Sequence, residues 1–439
     1  MKSVLGWLKS NVVIVILAVL AVGPPPVAWY FSNGMNASLR EGRQSEAQRL
    51  LRDVQNAEVT YELTPISPDQ EPVTVSGPPN AQLTEVFRAE QARRLEQVAA
   101  VKAAAIEFNR RGRGALVDGL FPAPSGQSQL LRNKMARRMV AADTPESAYR
   151  ALFESLRIRP AVDAEGLGSL ISARRERKVA EITGDQGEQT LTPEQRQQID
   201  SEMLDVRIGR YRTHADGTAL YGSLEVLPLS VPRVAPSSPP PLELCFAWQN
   251  DYWLIEDVLR GLVGANSRLD ESGVGGNVVS GAVKRLISLE IDAPAFGVSA
   301  GGSGAGAGDS GGRDFGRQSR QPQASAGAGG AATITGRAPG QSGLYDVRTA
   351  QLSLIVSSAK LPALLDALAS SNFMTVIDVD LAEADPWSEL EAGFYAGSDA
   401  VVRADVRVEV LHLRDWTAPL MPDTIKAQLG IATGGDEEG

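Results

Sequence analysis

The chain reads as an α+β protein: one N-terminal transmembrane helix, a helical or coiled stalk, and an antiparallel sheet module at the C-terminus. Three observations predict this. Residues 12–31 carry no charge. Two helical patterns then flank a proline-rich break. Beyond Trp248 the apolar period switches between the 3.6 of helices and the 2 of strands.

At roughly 150 residues per domain, the 439 residues make two to three structural units. Cys245 is the sole cysteine, which excludes an intrachain disulfide framework and any cysteine-based zinc or iron–sulfur site. His214 and His412 are the only histidines, so histidine metal sites and Ser-His-Asp chemistry have little material, and no cofactor is expected. The net charge of −10 is uneven: residues 1–140 hold 17 Lys+Arg against 12 Asp+Glu, and the remainder 26 against 41. An acidic body argues against nucleic acid, whose binding rests on cations that neutralise phosphates.

Residues 1–11 read as a short cytoplasmic stub containing Trp7, with Lys2 and Lys9 as an inside anchor. The run VVIVILAVLAVGPPPVAWYF at 12–31 would reach about 30 Å as a helix, the thickness of a bilayer core. Trp7 at one end and Trp29 and Tyr30 at the other suit the interfaces, so the lipid bilayer is an expected partner. Pro24, Pro25 and Pro26 should kink or end the helix, which leaves a cleaved signal peptide with a short apolar region at 12–22 as a second reading. Either way, residues 32–439 lie outside the cytoplasm.

The stalk spans 35–111. Leu39, Leu50, Leu51 and Val54 sit loosely on one helical face, prolines interrupt between 65 and 79, and a stronger helix runs from about 83 to 111. Its Leu95, Val98, Val101, Ala105 and Phe108 form an apolar stripe that suits pairing with another chain, a homodimer or heterodimer.

The middle region, 144–245, reads as α+β. A basic helix at 130–142 precedes it, with its arginines as a solvated face. Thr144-Pro145-Glu146 resembles a helix start, and 205–211 with 219–227 read as a hairpin around Asp216-Gly217. The proline-rich stretch 228–241 closes the region.

The terminal module occupies 247–293 and 345–414. Trp248, Tyr252, Ile255, Leu259 and Leu262 lie on one helical face, and a strand covers 283–291. Residues 297–343 are Gly/Ala/Ser-rich with no apolar period; the expectation is a disordered insertion reaching about 38 Å. Alternation resumes after Asp346, Leu361-Pro362 opens a helix, and 373–381 and 402–412 alternate again. In the last strand Val402, Ala404, Val406, Val408 and Val410 face the core while Arg403, Asp405, Arg407 and Glu409 face water; His412 is a satisfied edge histidine. Residues 420–439 read as an acidic flexible tail. Two α–β–β units of this kind fold as a four-stranded antiparallel sheet with both helices on one side, a ferredoxin-like arrangement in permuted order.

The stub with Trp7, the single span, the stalk and an α–β–β–α–β–β module ending in VRVEVLHL resemble the PilO-type inner-membrane alignment proteins of type IV pilus machines and their type II secretion relatives. The insertion at 297–343 and the region from Pro145 to Trp248 exceed a minimal body of that family. The resemblance implies a non-enzymatic, single-pass inner-membrane scaffold with its bulk in the periplasm. It would dimerise or pair with a PilN-like membrane protein, and meet other envelope components of the machine.

An enzyme needs a constellation, and the nearest is the acidic group Glu383, Asp385, Glu389 and Glu391, which lacks EF-hand spacing and falls in an inter-strand loop. The competing function is a membrane-anchored extracytoplasmic ligand-binding or receptor module that uses 145–245.

Overall fold

The computed structural model describes residues 6–8, 10–63, 65, 71–78, 80–184, 188–267, 276–296, 333–340 and 342–431. The chain divides into two compact units, Met1–Ala104 and Ala105–Gly439.

In the first unit, helix α1 (Val12–Val22) meets helix α2 (Pro24–Gln55) at Gly23. The helix breaks at Gly23, as the proline run predicts, and the prolines open the next one. They occupy the first turn of α2, where a missing N–H has no intrahelical partner to lose. Together the two form a candidate membrane span at Val12–Val54, with a window of mean hydropathy 2.3 and none of that window buried. Within the proline-rich break lies a hairpin that the sequence did not announce: β1 (Val59–Leu63) pairs antiparallel with β2 (Val73–Gly77), Tyr61 opposite Val75. It packs on helix α3 (Ala81–Arg110), where the Tyr61 ring lies 5.1 Å from Phe87 and its hydroxyl 2.9 Å from Thr84 Oγ1.

The second unit is built on a six-stranded sheet in the order β3-β4-β5-β6-β8-β7. Helix α4 (Ser128–Met139) is less solvated than its basic composition implies: Met135, Ala136 and Met139 are buried, and Arg138 Nη1 donates to Leu116 O at 2.8 Å. Helix α5 (Ala148–Ser155) starts later than expected. Ser147, not Thr144, is the cap, accepting from Arg150 N while its hydroxyl donates to Val140 O at 2.7 Å. Strand β3 (Ile158–Arg159) is followed by helix α6 (Ala164–Thr183) and helix α7 (Pro193–Asp216).

The hairpin expected at 205–227 is absent. Residues 205–211 belong to α7, which Thr192 and Gln195 open with a reciprocal capping box. The inward residues Ile199, Met203, Tyr211 and Ala215 fall at multiples of four, a helical period that outweighs the short local alternation. Only β4 (Leu220–Tyr221) remains as strand, parallel to β3 on one side and to β5 on the other. The middle region therefore contributes to the same sheet as the terminal module.

Helix α8 (Leu242–Ser267) is longer than the predicted stripe and buried nearly all round, so its polar Gln249, Asn250, Asp251 and Asp257 are interior. Burial raises the Cys245 thiol to about 12. Strands β5 (Val283–Ile291), β6 (Tyr345–Ser357), β7 (Met374–Glu383) and β8 (Val401–Leu413) are mutually antiparallel in the order β5-β6-β8-β7. Helix α9 (Leu361–Ser371) joins β6 to β7 and packs with α8 against Ala350, Leu352, Leu354, Val406, Val408 and Val410. A side chain at Gly261 of α8 would press on Leu368 and Ser371, so glycine there permits the close approach of α9.

Four expectations change here. A bulge between Val376 and Asp378 shifts the phase of β7, so the inward residues are Met374, Val376 and Val379 rather than an unbroken odd series. Residues 333–340, assigned to the disordered insertion, lie against the sheet. The Glu409 carboxylate, expected in water, is fully buried beneath them, accepting from Thr333 Oγ1 (2.5 Å), Thr335 Oγ1 (2.7 Å) and Arg337 Nη1 (2.6 Å). The presumed tail begins with helix α10 (Asp423–Gln428), which buries Ile425 beside Met421. Residues 297–332, 341 and 432–439 lie outside the described residues.

Candidate functional site

The five stripe residues sit on α3, where a long run of Ala, Glu, Gln and Arg favours helix. Leu95, Val98 and Val101 are 62%, 51% and 70% exposed. Ala105 is half-buried, and Phe108, 43% exposed, lies 5.2 Å from the Phe373 ring. Val98, Val101, Ala105 and Phe108 are spaced 3, 4 and 3, a heptad seam of nearly three turns. Leu95 lies to one side of it. The stripe is thus continuous as a helix face, while its apolar side chains at 95, 98 and 101 have no cover among the described residues.

One residue beyond the stripe, α3 ends in a buried polar joint that the sequence reading missed. Asn109 is fully buried, and all four hydrogen-bonding positions of its amide are used. Nδ2 donates to Asn372 Oδ1 and to Leu411 O, both at 2.8 Å; Oδ1 accepts from Leu413 N at 2.8 Å and Trp416 Nε1 at 2.6 Å. Asn372, at the end of α9, passes the network to α8 by donating to Asp257 Oδ2 at 2.8 Å. His412 Nε2 lies 3.3 Å from the same oxygen. Arg113 completes the joint, with Nη1 2.9 Å from Asp257 Oδ1 and Nη2 donating to Asn109 O at 2.7 Å.

Strand β8 lies between β6 and β7, and His412 sits at its end, as read from the sequence, with the imidazole buried and partnered. Burial pushes its pKa below the ordinary value, against the pull of Asp257, so the ring is neutral near pH 7. For Asp257 burial acts to raise the pKa, but the His412 hydrogen bond and the Arg113 charge prevail and hold the carboxyl below its usual range. A second buried pair, Arg348 Nη1 to Asp251 Oδ1 at 2.6 Å, ties α8 to β6.

The acidic group near 383–391 disperses. Asp385 caps the short helix Pro386–Glu391, accepting from Trp387 N at 2.9 Å, and Glu389 pairs with Arg285 at 2.9 Å. Among the described residues, no three His, Cys, Asp or Glu side chains are grouped to hold a metal ion.

The signals for the joint were present but unpaired. Asn109 follows the stripe directly, Asp257 sits in an apolar helix, and His412 shares the inward parity of β8. Spacing marks only His412 as inward; the fold brings the three together. No family model, curated protein or solved structure matches the chain.

Proposed function

We propose that this chain is a non-enzymatic, membrane-anchored pairing scaffold of the PilO-like kind. It would stand in the inner membrane with its body in the periplasm and associate with a second copy or a PilN-like membrane protein. The observation that carries the reading is the uncovered apolar run Leu95, Val98 and Val101 on a helix whose chain begins with a membrane-length apolar segment. Apolar side chains at heptad spacing in water gain by meeting another such face, at about 25 cal/mol per Å² removed from water.

The sheet supports the family resemblance. The order β5-β6-β8-β7, with α8 and α9 on one side, is compatible with a ferredoxin-like sheet entered one element late. The parallel strands β3 and β4 extend it beyond that plan.

Crosslinking in membranes, from a photoreactive residue at position 98, tests the reading. The expected product is a dimer or an adduct with another membrane protein. Leu95→Asp with Val98→Asp should abolish it, because the pair would set one charge in the apolar seam and another on its flank at a cost of several kcal/mol, while the folded body is unaffected. Equal mass and equal adducts for wild type and the double variant would reduce the stalk to a spacer.

A further inference from the structure

The sheet's last strand, β7, has needs on both of its faces that nothing among the described residues meets. Among the described residues it pairs with β8 alone, and it is 10 residues long, about 33 Å, with a regular ladder from Asp378 to Glu383. On the helix-covered side one row crosses four strands: Leu286, Leu354, Ala404 and Leu381. The first three are 1%, 0% and 0% exposed, and Leu381 is 55% exposed. The apolar row stops one strand short of cover.

On the other side the adjoining row runs Ser288, Ser353, Asp405 and Asp380. It sets two carboxylates directly opposite each other on neighbouring strands, an unfavourable pair. Asp405 has Arg403 at 3.4 Å, while Asp380 is exposed. One row further, Asp378 stands opposite Arg407, which shows what such a carboxylate meets inside the sheet.

We propose that β7 is completed by strand addition: an extended segment of a different polypeptide, alternating basic and apolar side chains, pairs along Asp378–Glu383. Its basic residues face Asp378 and Asp380, and its apolar residues lie beside Val379 and Leu381. Main-chain hydrogen bonds supply the affinity and the alternation supplies the specificity. A second copy of β7 is the wrong occupant. Antiparallel registers that align Val379 with Leu381 or with itself set Asp380 on Asp380 or Asp378 on Asp380. The inference deepens the scaffold reading by describing a partner of the sheet, and it is separable from the stalk.

The test is amide hydrogen exchange of the full-length protein in detergent micelles, with a short capped peptide alternating valine and lysine, and its valine–glutamate counterpart. The lysine peptide should slow exchange at 378–383 roughly tenfold, and the glutamate peptide should not. Asp378→Lys with Asp380→Lys, at exposed positions and checked for an unchanged melting temperature, should reverse the preference. The stalk variant Leu95→Asp with Val98→Asp should leave the peptide response intact, so failure of stalk pairing and failure of the edge are told apart. No slowing by the lysine peptide, equal slowing by both peptides, or no reversal in the double lysine variant overturns the proposal.

Discussion

Replacing Asn109 with alanine should destabilise the second unit by about 4 kcal/mol. The substitution deletes an amide and strands its partners. Leu413 N and Trp416 Nε1 lose their acceptor, and Leu411 O loses its donor. Asn372 Oδ1 keeps a bond from Phe373 N at 2.8 Å and suffers less. A buried group left unpaired costs roughly 1–3 kcal/mol, so three such groups set an upper range near 9, which local relaxation and entry of water reduce. The melting transition should fall on the order of 8 °C. Urea unfolding of the full-length protein in micelles, followed by near-UV circular dichroism, measures the change, and hydrogen exchange along β8 localises it. Leu95→Ala, at an exposed position, should change stability by less than about 0.5 kcal/mol and serves as the control. A loss below about 1 kcal/mol for Asn109→Ala would mean that the joint does not hold the end of α3, and the reasoning from satisfied buried groups fails.

Stability of the second unit should decline as pH falls from about 7 through 6: the unfolded chain protonates His412 near its ordinary pKa while the buried ring, shifted down, stays neutral, and His412→Gln should flatten that slope in pH-dependent melts. Asp257 acts in a separate, more acidic window, where stability present above its ordinary pKa is lost as pH falls through the lowered native value. Arg337→Ala should cost about 2 kcal/mol by leaving the Glu409 carboxylate short of its cation, read by urea unfolding. Shortening 297–332 while keeping 333–340 should leave the melting temperature nearly unchanged, because a side chain at Gly340 would lie 3.5 Å from Ala295 Cβ and the flanks already meet. Protease added to intact spheroplasts should remove the body, and full protection would contradict an N-terminus-inside span at 12–31.

Local pattern determined a good deal of this protein. Charge-free length marked the apolar segment at 12–31, and period-two and period-3.6 runs located β5, β6, α9 and β8 nearly to the residue, since each turns one apolar face to the core. The exposed stripe at Leu95, Val98 and Val101 was legible for the same reason: helical spacing needs no tertiary information.

Long-range contact decided the rest. Residues 205–211 carry a strand-like alternation, but α7 has α6 to pack against, and a four-residue apolar period over the whole helix outweighs it. Glu409 reads as solvent-facing until Thr333, Thr335 and Arg337 arrive from more than seventy residues away to bury it. Asn109 bonds to atoms of Asn372, Leu411, Leu413 and Trp416, over 260 residues distant. A polar side chain can be buried only where the fold supplies its partners, and one-dimensional spacing records the side chain without those partners. Periodicity therefore reveals which faces turn inward, while the closure of the chain decides which polar groups meet there and which edge of the sheet is left open.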